Sequence, residues 1–441
     1  MRIKRTLRMI ALTLISVLLL NCAGCWDRRE IDKLNVVMML GVDRVVRDGK
    51  TRVLLSVLSL KLNSVVGSSG LGQGAGLVPS MGFVDTAEGE TIDDACRNIA
   101  LRSPRSLYLG HVQAIVIGEE MARDGIQQVI DFGDRSKDIR YRTEVVTCQG
   151  SALEALEAQP EFEMLSSTEL VELIKQDPAH ISKTVPADLL HVVSGLMTPG
   201  REVAMPRLHL FSPPERGSSV RKGPPSSSIT LDQQGQQGQP GARGQNFNQT
   251  LGVSESEHPE RKVFSVDGTA VFLGDRLVGW LNGEESEGAM FITRQARGGE
   301  VPFAFRSSQK NASYAFQRVS AGVKPVITRD GITLEVNIRG SGGLSENRDA
   351  AIDTMKASDI KAAEQYIDAE AEHYCQEAVA RCQSLQSDIF GFGDLIHKSN
   401  PAYWKQIKDQ WRDRFPTVKV RVTARFTIEQ TGVTGQAVKS K

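Results

Sequence analysis

Six cysteines are the first residues to test for chemistry: Cys22, Cys25, Cys96, Cys148, Cys375 and Cys382. Cys22 and Cys25 make a C-x-x-C, the spacing of redox and zinc pairs, but both uses need two thiols inside a folded domain. Here the pair closes another pattern. Arg2, Lys4, Arg5 and Arg8 precede an apolar run at 9–20, and the small residues Ala23 and Gly24 stand before Cys25. A helix of about 12 residues spans about 18 Å, short of the roughly 30 Å of a bilayer core. The layout is that of a secretory signal rather than a retained span. Small residues ahead of a cysteine suit lipoprotein processing, in which the Cys25 thiol takes a diacylglycerol and cleavage leaves it as the N-terminus. Cys22 fits that role less well, because Asn21 directly before it is large and polar. Two or more acyl chains would hold the chain stably where one is marginal.

The remaining motifs have plainer readings. Ser307 and Lys310 match S-x-x-K, but S-D-N and K-T-G are missing and the motif falls between two expected strands, so a hairpin turn is predicted. Glu370 and His373 match the E-x-x-H of di-metal helices without a second copy, which leaves a solvated helix face. The glycines at 67–76 lack G-K-[ST] and read as a surface loop. Cys375 and Cys382, seven apart on one expected helix, would have Cα atoms roughly 10 Å apart, too far to bridge. Cys382 reads as core. A Cys96–Cys148 disulfide stays open, since sequence cannot give their separation. No triad, carboxylate pair or metal cluster emerges.

Several elements must position whatever the chain does use. Two β-branched runs at 34–46 and 51–62 flank Asp48-Gly49 and read as a hairpin, buried on both faces because the runs are nearly continuous. A helix at 91–102 has Thr91 as N-cap and Asp93 and Asp94 in its first turn. Strands at 112–118 and 143–148 bracket a helix at 119–131, an α/β alternation. Short helices follow between 152 and 196, then a strand near 203–210. Residues 211–262 are dominated by Pro, Gly, Ser and Gln and read as a flexible linker. Beyond it come strands at 263–273 and 276–281, then 300–307, 312–319, 324–328 and 331–339. Trp280 reads as packing at a sheet edge. A long helix at 353–387 has an apolar stripe of Ile360, Ala363, Ile367, Ala371, Tyr374, Ala378, Cys382 and Leu385. A helix at 401–414 and a strand at 418–428 close the chain.

At 441 residues the chain exceeds what one core supports, so two or three domains are expected. Lys plus Arg and Asp plus Glu are each 53, and without residues 1–24 an acidic excess of four remains. Nothing in this balance points to nucleic acid.

Four stretches, "GCWDRREID" at 24–32, "SPRSLYLGHVQAIVIGEEMARDGI" at 103–126, "GTAVFLGDRLVGWLNGEESEGAMF" at 268–291 and "DIFGFGDLIHKSNPAYWKQIKDQWRDRFP" at 388–416, together resemble one family. It is the Ger(x)C family, the lipoprotein C subunit of GerA-type nutrient germinant receptors of bacterial spores. The resemblance places the lipidated cysteine on Cys25, followed by Trp26, Asp27 and Glu30. The second block supplies Arg105, Leu109, Gly110, His111, Gly118 and Glu119. The third supplies Gly268, Phe272, Gly279, Trp280, Leu281 and Glu285. The last supplies Asp388, Gly391, Gly393, Pro401, Trp404, Phe415 and Pro416. Many of these are glycines, prolines and aromatics, which suggests fold geometry more than chemistry.

The resemblance implies an α/β (α+β) fold of consecutive mixed-sheet domains with packed helices. Its parts would be a lipoprotein signal peptide at 1–24, an N-terminal Ger(x)C domain at 25–210, the linker at 211–262 and a C-terminal Ger(x)C domain at 263–436. It implies a non-catalytic subunit without cofactor or metal, lipid-anchored on the outer face of the spore's inner membrane. Its partners would be two polytopic membrane proteins, the A and B subunits. A solute-binding lipoprotein feeding a transporter is the main rival and would need a ligand cleft with convergent polar groups. A tethered hydrolase is disfavoured by the lack of a catalytic constellation.

Overall fold

The protein is described by a computed structural model covering residues 33–61, 81–176, 180–212, 262–329, 331–348 and 351–431, together with Met9, Ile10 and Thr13. Cys25, the glycine loop at 67–76 and most of the linker lie outside the described residues. The first hairpin joins β1 (Leu34–Arg47) to β2 (Lys50–Leu60). Asp48 and Gly49 both take positive φ, 50° and 73°, in a two-residue turn of the hand that matches strand twist. β3 (Gly82–Gly89) pairs antiparallel with β2. The helix α1 (Ile92–Ala100) starts where expected, with the Asp94 amide donating to Thr91 Oγ1 at 3.2 Å.

β1 then gains parallel neighbours on its other edge: β4 (Ser106–Tyr108) and β5 (Ala114–Gly118). The β6 (Glu144–Gln149) and β7 (Ala204–Phe211) strands continue that parallel set. The sheet does not stop at the linker. β8 (Val263–Leu273) pairs antiparallel with β7, and β9 (Arg276–Leu281) forms the far edge. The order is β3-β2-β1-β5-β6-β7-β8-β9, with β4 beside β1, nine strands drawn from both sides of the linker. Helices cover both faces. Ile115 and Ile117 face one core, Ala114 and Val116 the other, and every residue of β5 is buried.

A second, four-stranded sheet has the order β10 (Gly299–Phe303), β11 (Ala312–Thr328), β12 (Gly331–Asn347) and β13 (Lys419–Gln430). β12 and β13 run parallel and the other pairs antiparallel. One face is buried by two helices, Gly283–Thr293 and Ala357–Ser384, in a core that includes Phe291, Phe316, Tyr314 and Phe426. The long helix also guards the edge of the sheet. The amides of Ala424, Phe426 and Ile428 on β13 donate to Glu372 (2.9 Å), Asp368 (2.6 Å) and Glu364 (3.0 Å). Burial, reinforced by Glu372 and Glu364 alongside, pushes Asp368 up to about 6 despite that hydrogen bond.

Several boundaries differ from expectation for identifiable reasons. The helix expected at 119–131 is two, Glu119–Asp124 and Gln127–Arg135, because Gly125 takes φ 143° against Asp275. The strands expected at 312–319 and 324–328 are one: Pro325 lies beyond Phe316, where β10 has ended, so on that open edge its missing amide costs no ladder bond. The strand expected at 331–339 continues to Asn347 through glycines that allow close packing, Gly340 under the Phe426 ring and Gly342 against Ala315. The one expected at 300–307 ends at Phe303. The long helix is trimmed to Ala357–Ser384, with its stripe buried from Ala363 to Cys382 and Ile360 and Leu385 half-buried. The helix expected at 401–414 divides into Pro401–Ile407, a 3-10 turn and Trp411–Arg414.

Cys96 and Cys148 are free thiols. They belong to the cores on opposite faces of the large sheet, which settles the open disulfide. Burial pushes both thiols up to about 12. Cys375 joins Cys382 in the third core, and both are free.

Candidate functional site

The site is best built from Asp388, a carboxylate that follows the long helix and is almost fully buried. It accepts the amides of Phe392 (3.0 Å) and Gly393 (2.8 Å), opening the helix Phe392–Ser399, and the Trp411 indole N–H at 3.0 Å. Burial pushes its pKa up to about 6, with those donors pulling the other way. Its own carbonyl accepts the Glu202 amide at 2.9 Å, from the segment before β7. Glu202 in turn accepts Arg412 Nε at 2.9 Å and the Gly274 amide at 2.6 Å.

Two glycines let the backbones touch here. A Cβ on Gly393 would sit 2.6 Å from Trp411 Nε1 and 2.7 Å from Gly200 Cα. One on Gly200, at φ 80°, would sit 2.6 Å from the Trp404 ring, and the Gly200 carbonyl accepts the Asp394 amide at 3.1 Å. Trp404 and Trp411 pack edge to face at 5.8 Å. Beside them a cavity of about 360 Å³ is lined by Glu202, Asp388 and Arg412 among others. Ser387 Oγ donates to the Phe272 carbonyl at 2.6 Å, tying the same turn to β8. The result is a buried joint between residues far apart in the chain.

The other expected positions have local duties. Pro401 is the first residue of its helix, capped by Asn400, and Gly391 takes φ 72° against Arg201. Gly268, at φ 82°, lies tight against the Leu281 carbonyl, and Gly279 admits Leu385. Trp280 is half-buried on the edge strand, and its carbonyl accepts Arg381 Nε at 3.3 Å. Glu285 completes a capping box with Asn282, both bonds 2.8 Å. Glu119 starts its helix and pairs with Arg123 at 2.6 Å. Arg105 directly precedes β4, and Gly110 and His111 lie on the connection from β4 to β5, all away from the joint, with His111 exposed and its ring 5.5 Å from that of Tyr108. Trp26, Asp27 and Glu30 lie outside the described residues.

Lys310 of the S-x-x-K is held by Glu370 (2.9 Å), Glu284 (3.2 Å) and the Tyr374 hydroxyl (3.2 Å), a structural ion cluster. His373 pairs with Glu377 on an exposed helix face. Among the described residues no group of three or more His, Cys, Asp or Glu side chains could hold a metal.

Sequence reasoning missed Gly200 and Glu202, whose partners lie about two hundred residues away and leave no local signal, and Trp411, whose partner Asp388 is 23 residues before it. It also missed Asp43. That carboxylate sits inside an apolar strand yet accepts Ser151 Oγ (3.0 Å) and the amides of Ala152 (2.8 Å) and Leu153 (2.9 Å). An acid in the middle of such a run was the available clue.

Two family models match the chain, one on each side of the linker. "Spore germination protein N-terminal domain" matches residues 27–210, and "Spore germination B3/ GerAC like, C-terminal" matches 267–432. The chain belongs to the Ger(x)C family of spore germination proteins. Similar proteins include "Putative spore germination protein YfkR" of Bacillus subtilis (strain 168), 25% identical over 433 residues and 98% of each chain. Spore germination protein KC of the same organism is 24% identical over 436 residues, 97% of this chain and 96% of its own. The crystal structure of the GerBC protein matches with a TM-score of 0.50 at 15% identity, covering 88% of this chain and 97% of that one. At that identity the likeness speaks for the mixed α/β fold. No helix among the described residues is long and apolar enough to cross a membrane.

Proposed function

We propose that this Ger(x)C chain is the lipid-anchored, non-catalytic subunit of a nutrient germinant receptor. Cys25 carries the anchor on the outer face of the spore's inner membrane, and two polytopic A and B subunits are the partners. The observation that carries this reading is the use made of the family positions in the last block. Asp388, Gly393 and Trp404 are spent on a buried joint rather than on a solvent-facing site. Such a joint makes the two sheets one body, which suits a subunit that passes a change in one partner to another.

Replacing Cys25 by Ala tests the anchor and the receptor role together. The variant is expected in the soluble fraction of disrupted spores, with a germination response to nutrient reduced at least tenfold. Unchanged membrane fractionation would sink the anchor. An unchanged nutrient response in spores lacking the whole chain would sink the receptor role.

A further inference from the structure

In β13 and the facing stretch of β12, residues turned to the core alternate with residues that face away from it. Along β13, Val422, Ala424 and Phe426 are buried while Arg421, Thr423, Arg425 and Thr427 are exposed. The register carries this alternation across the sheet. Glu335 lies between Arg421 and Lys324, Arg339 between Arg425 and Ser320, and Thr333 beside Lys419. The outward face therefore presents Arg318, Lys324, Arg339, Lys419, Arg421 and Arg425, all exposed. Among the described strand residues the acids on that face are Glu335 and Glu429, with Glu300 and Glu346 toward the β10 end of the sheet, which leaves an excess of two positive charges on a chain whose formal net charge is zero. Among the described residues none of the six is in an ion pair. The three acids Glu364, Asp368 and Glu372 are turned to the β13 edge, where they accept its amides.

We propose that this face docks on an anionic phospholipid surface, an inference that rests on the membrane-anchored reading above. Charge complementarity sets the sign of the occupant. Shape and composition select among anionic ones. Arg339 and Arg425 stand about 4.8 Å apart on adjacent strands and Lys419 and Arg421 about 6.6 Å apart along one, and all six cations belong to one sheet face, so they face a plane rather than a groove. Between them are Ser320, Thr333, Asn337, Ser341, Thr423 and Thr427, donors suited to phosphate oxygens. No aromatic side chain stands on this face of β12 or β13, so it lacks the stacking platform of single-strand nucleic-acid binders. Basic residues at an anionic membrane each strengthen binding roughly fivefold.

The test uses the full chain with Cys25→Ala, so that no acyl chain contributes, in sedimentation with vesicles of phosphatidylcholine alone or with phosphatidylglycerol at 30 mol%. Binding is expected only to the anionic vesicles and should fall in 0.5 M salt. The triple variant R339E/R421E/R425E should bind more than tenfold more weakly, while R339K/R421K/R425K should keep its binding, which separates loss of charge from loss of fold. Equal binding to both vesicle types, or an unaffected charge-reversal variant, would overturn the proposal. So would failure to bind vesicles together with charge-dependent binding to poly-glutamate, which would point to an acidic protein segment instead. Because the assay is independent of acylation, its failure leaves the Cys25 reading to stand or fall by fractionation.

Discussion

The two sheets solve the same problem in opposite ways. The nine-stranded sheet is closed on both faces, so β5 is buried at every position and its sequence reads as an unbroken apolar run. The four-stranded sheet is closed on one face only, and β13 alternates buried and exposed residue by residue. A closed sheet tolerates little change anywhere. A half-open sheet can vary its outer face without touching its core, and this molecule has put its unpaired cations there. The difference shows where the chain is committed to being a body and where it is free to meet something else.

The joint between the sheets is the place to break that comparison. Asp388→Ala would leave the Trp411 indole N–H and two amides unsatisfied in a buried site, at a cost of about 3 to 5 kcal/mol. If the joint makes one cooperative unit, urea unfolding should change from one transition to two, followed by tryptophan fluorescence and by circular dichroism. A single unshifted transition would mean that the sheets do not depend on Asp388.

A paired substitution sharpens the contrast at smaller scale. Ile117→Ala, fully buried in β5, should cost about 2 to 5 kcal/mol, and Thr423→Ala, on the open face, should stay within about 0.5 kcal/mol. Equal losses would contradict the half-open description.

The smallest effect concerns pH. Asp368 has a folded pKa raised to about 6 from 3.8, so between those values the folded state holds more proton than the unfolded. Its contribution to stability therefore falls as pH rises from about 4 to about 6 and stays low above. Asp368→Asn should match the wild type near pH 3.5 and exceed it in denaturation midpoint at pH 7. The reverse order at pH 7 would show that the hydrogen bond to Phe426 outweighs burial and repulsion.

Most of the regular elements were legible because their signals are local. The Asp48-Gly49 turn, the Thr91 cap, strands Val263–Leu273 and Arg276–Leu281, and the stripe of the long helix all follow from neighbours within a few residues. The misread boundaries depend on what lies opposite. Gly322 and Gly340 look like strand ends until Gly322 is known to pair with Asn337 and the Phe426 ring is known to cover Gly340. The joint was half legible. Asp388, Gly393 and Trp404 came from resemblance, but their meeting with Gly200 and Glu202 is a property of the folded chain alone.

The carboxylates along the long helix make a vernier. Four helical residues advance about 6.0 Å and two strand residues about 6.6 Å, so each step of Glu364, Asp368 and Glu372 loses about 0.6 Å on the β13 amides. Two steps accumulate roughly 1.2 Å, which flexible side chains can still absorb. Further steps would land on Ile360 and Gln376, where no carboxylate stands. Two incommensurate rulers, laid side by side, thus fix how long the helix can hold the strand in step, and on the row of residues four apart that faces β13 the carboxylates stand only within that span.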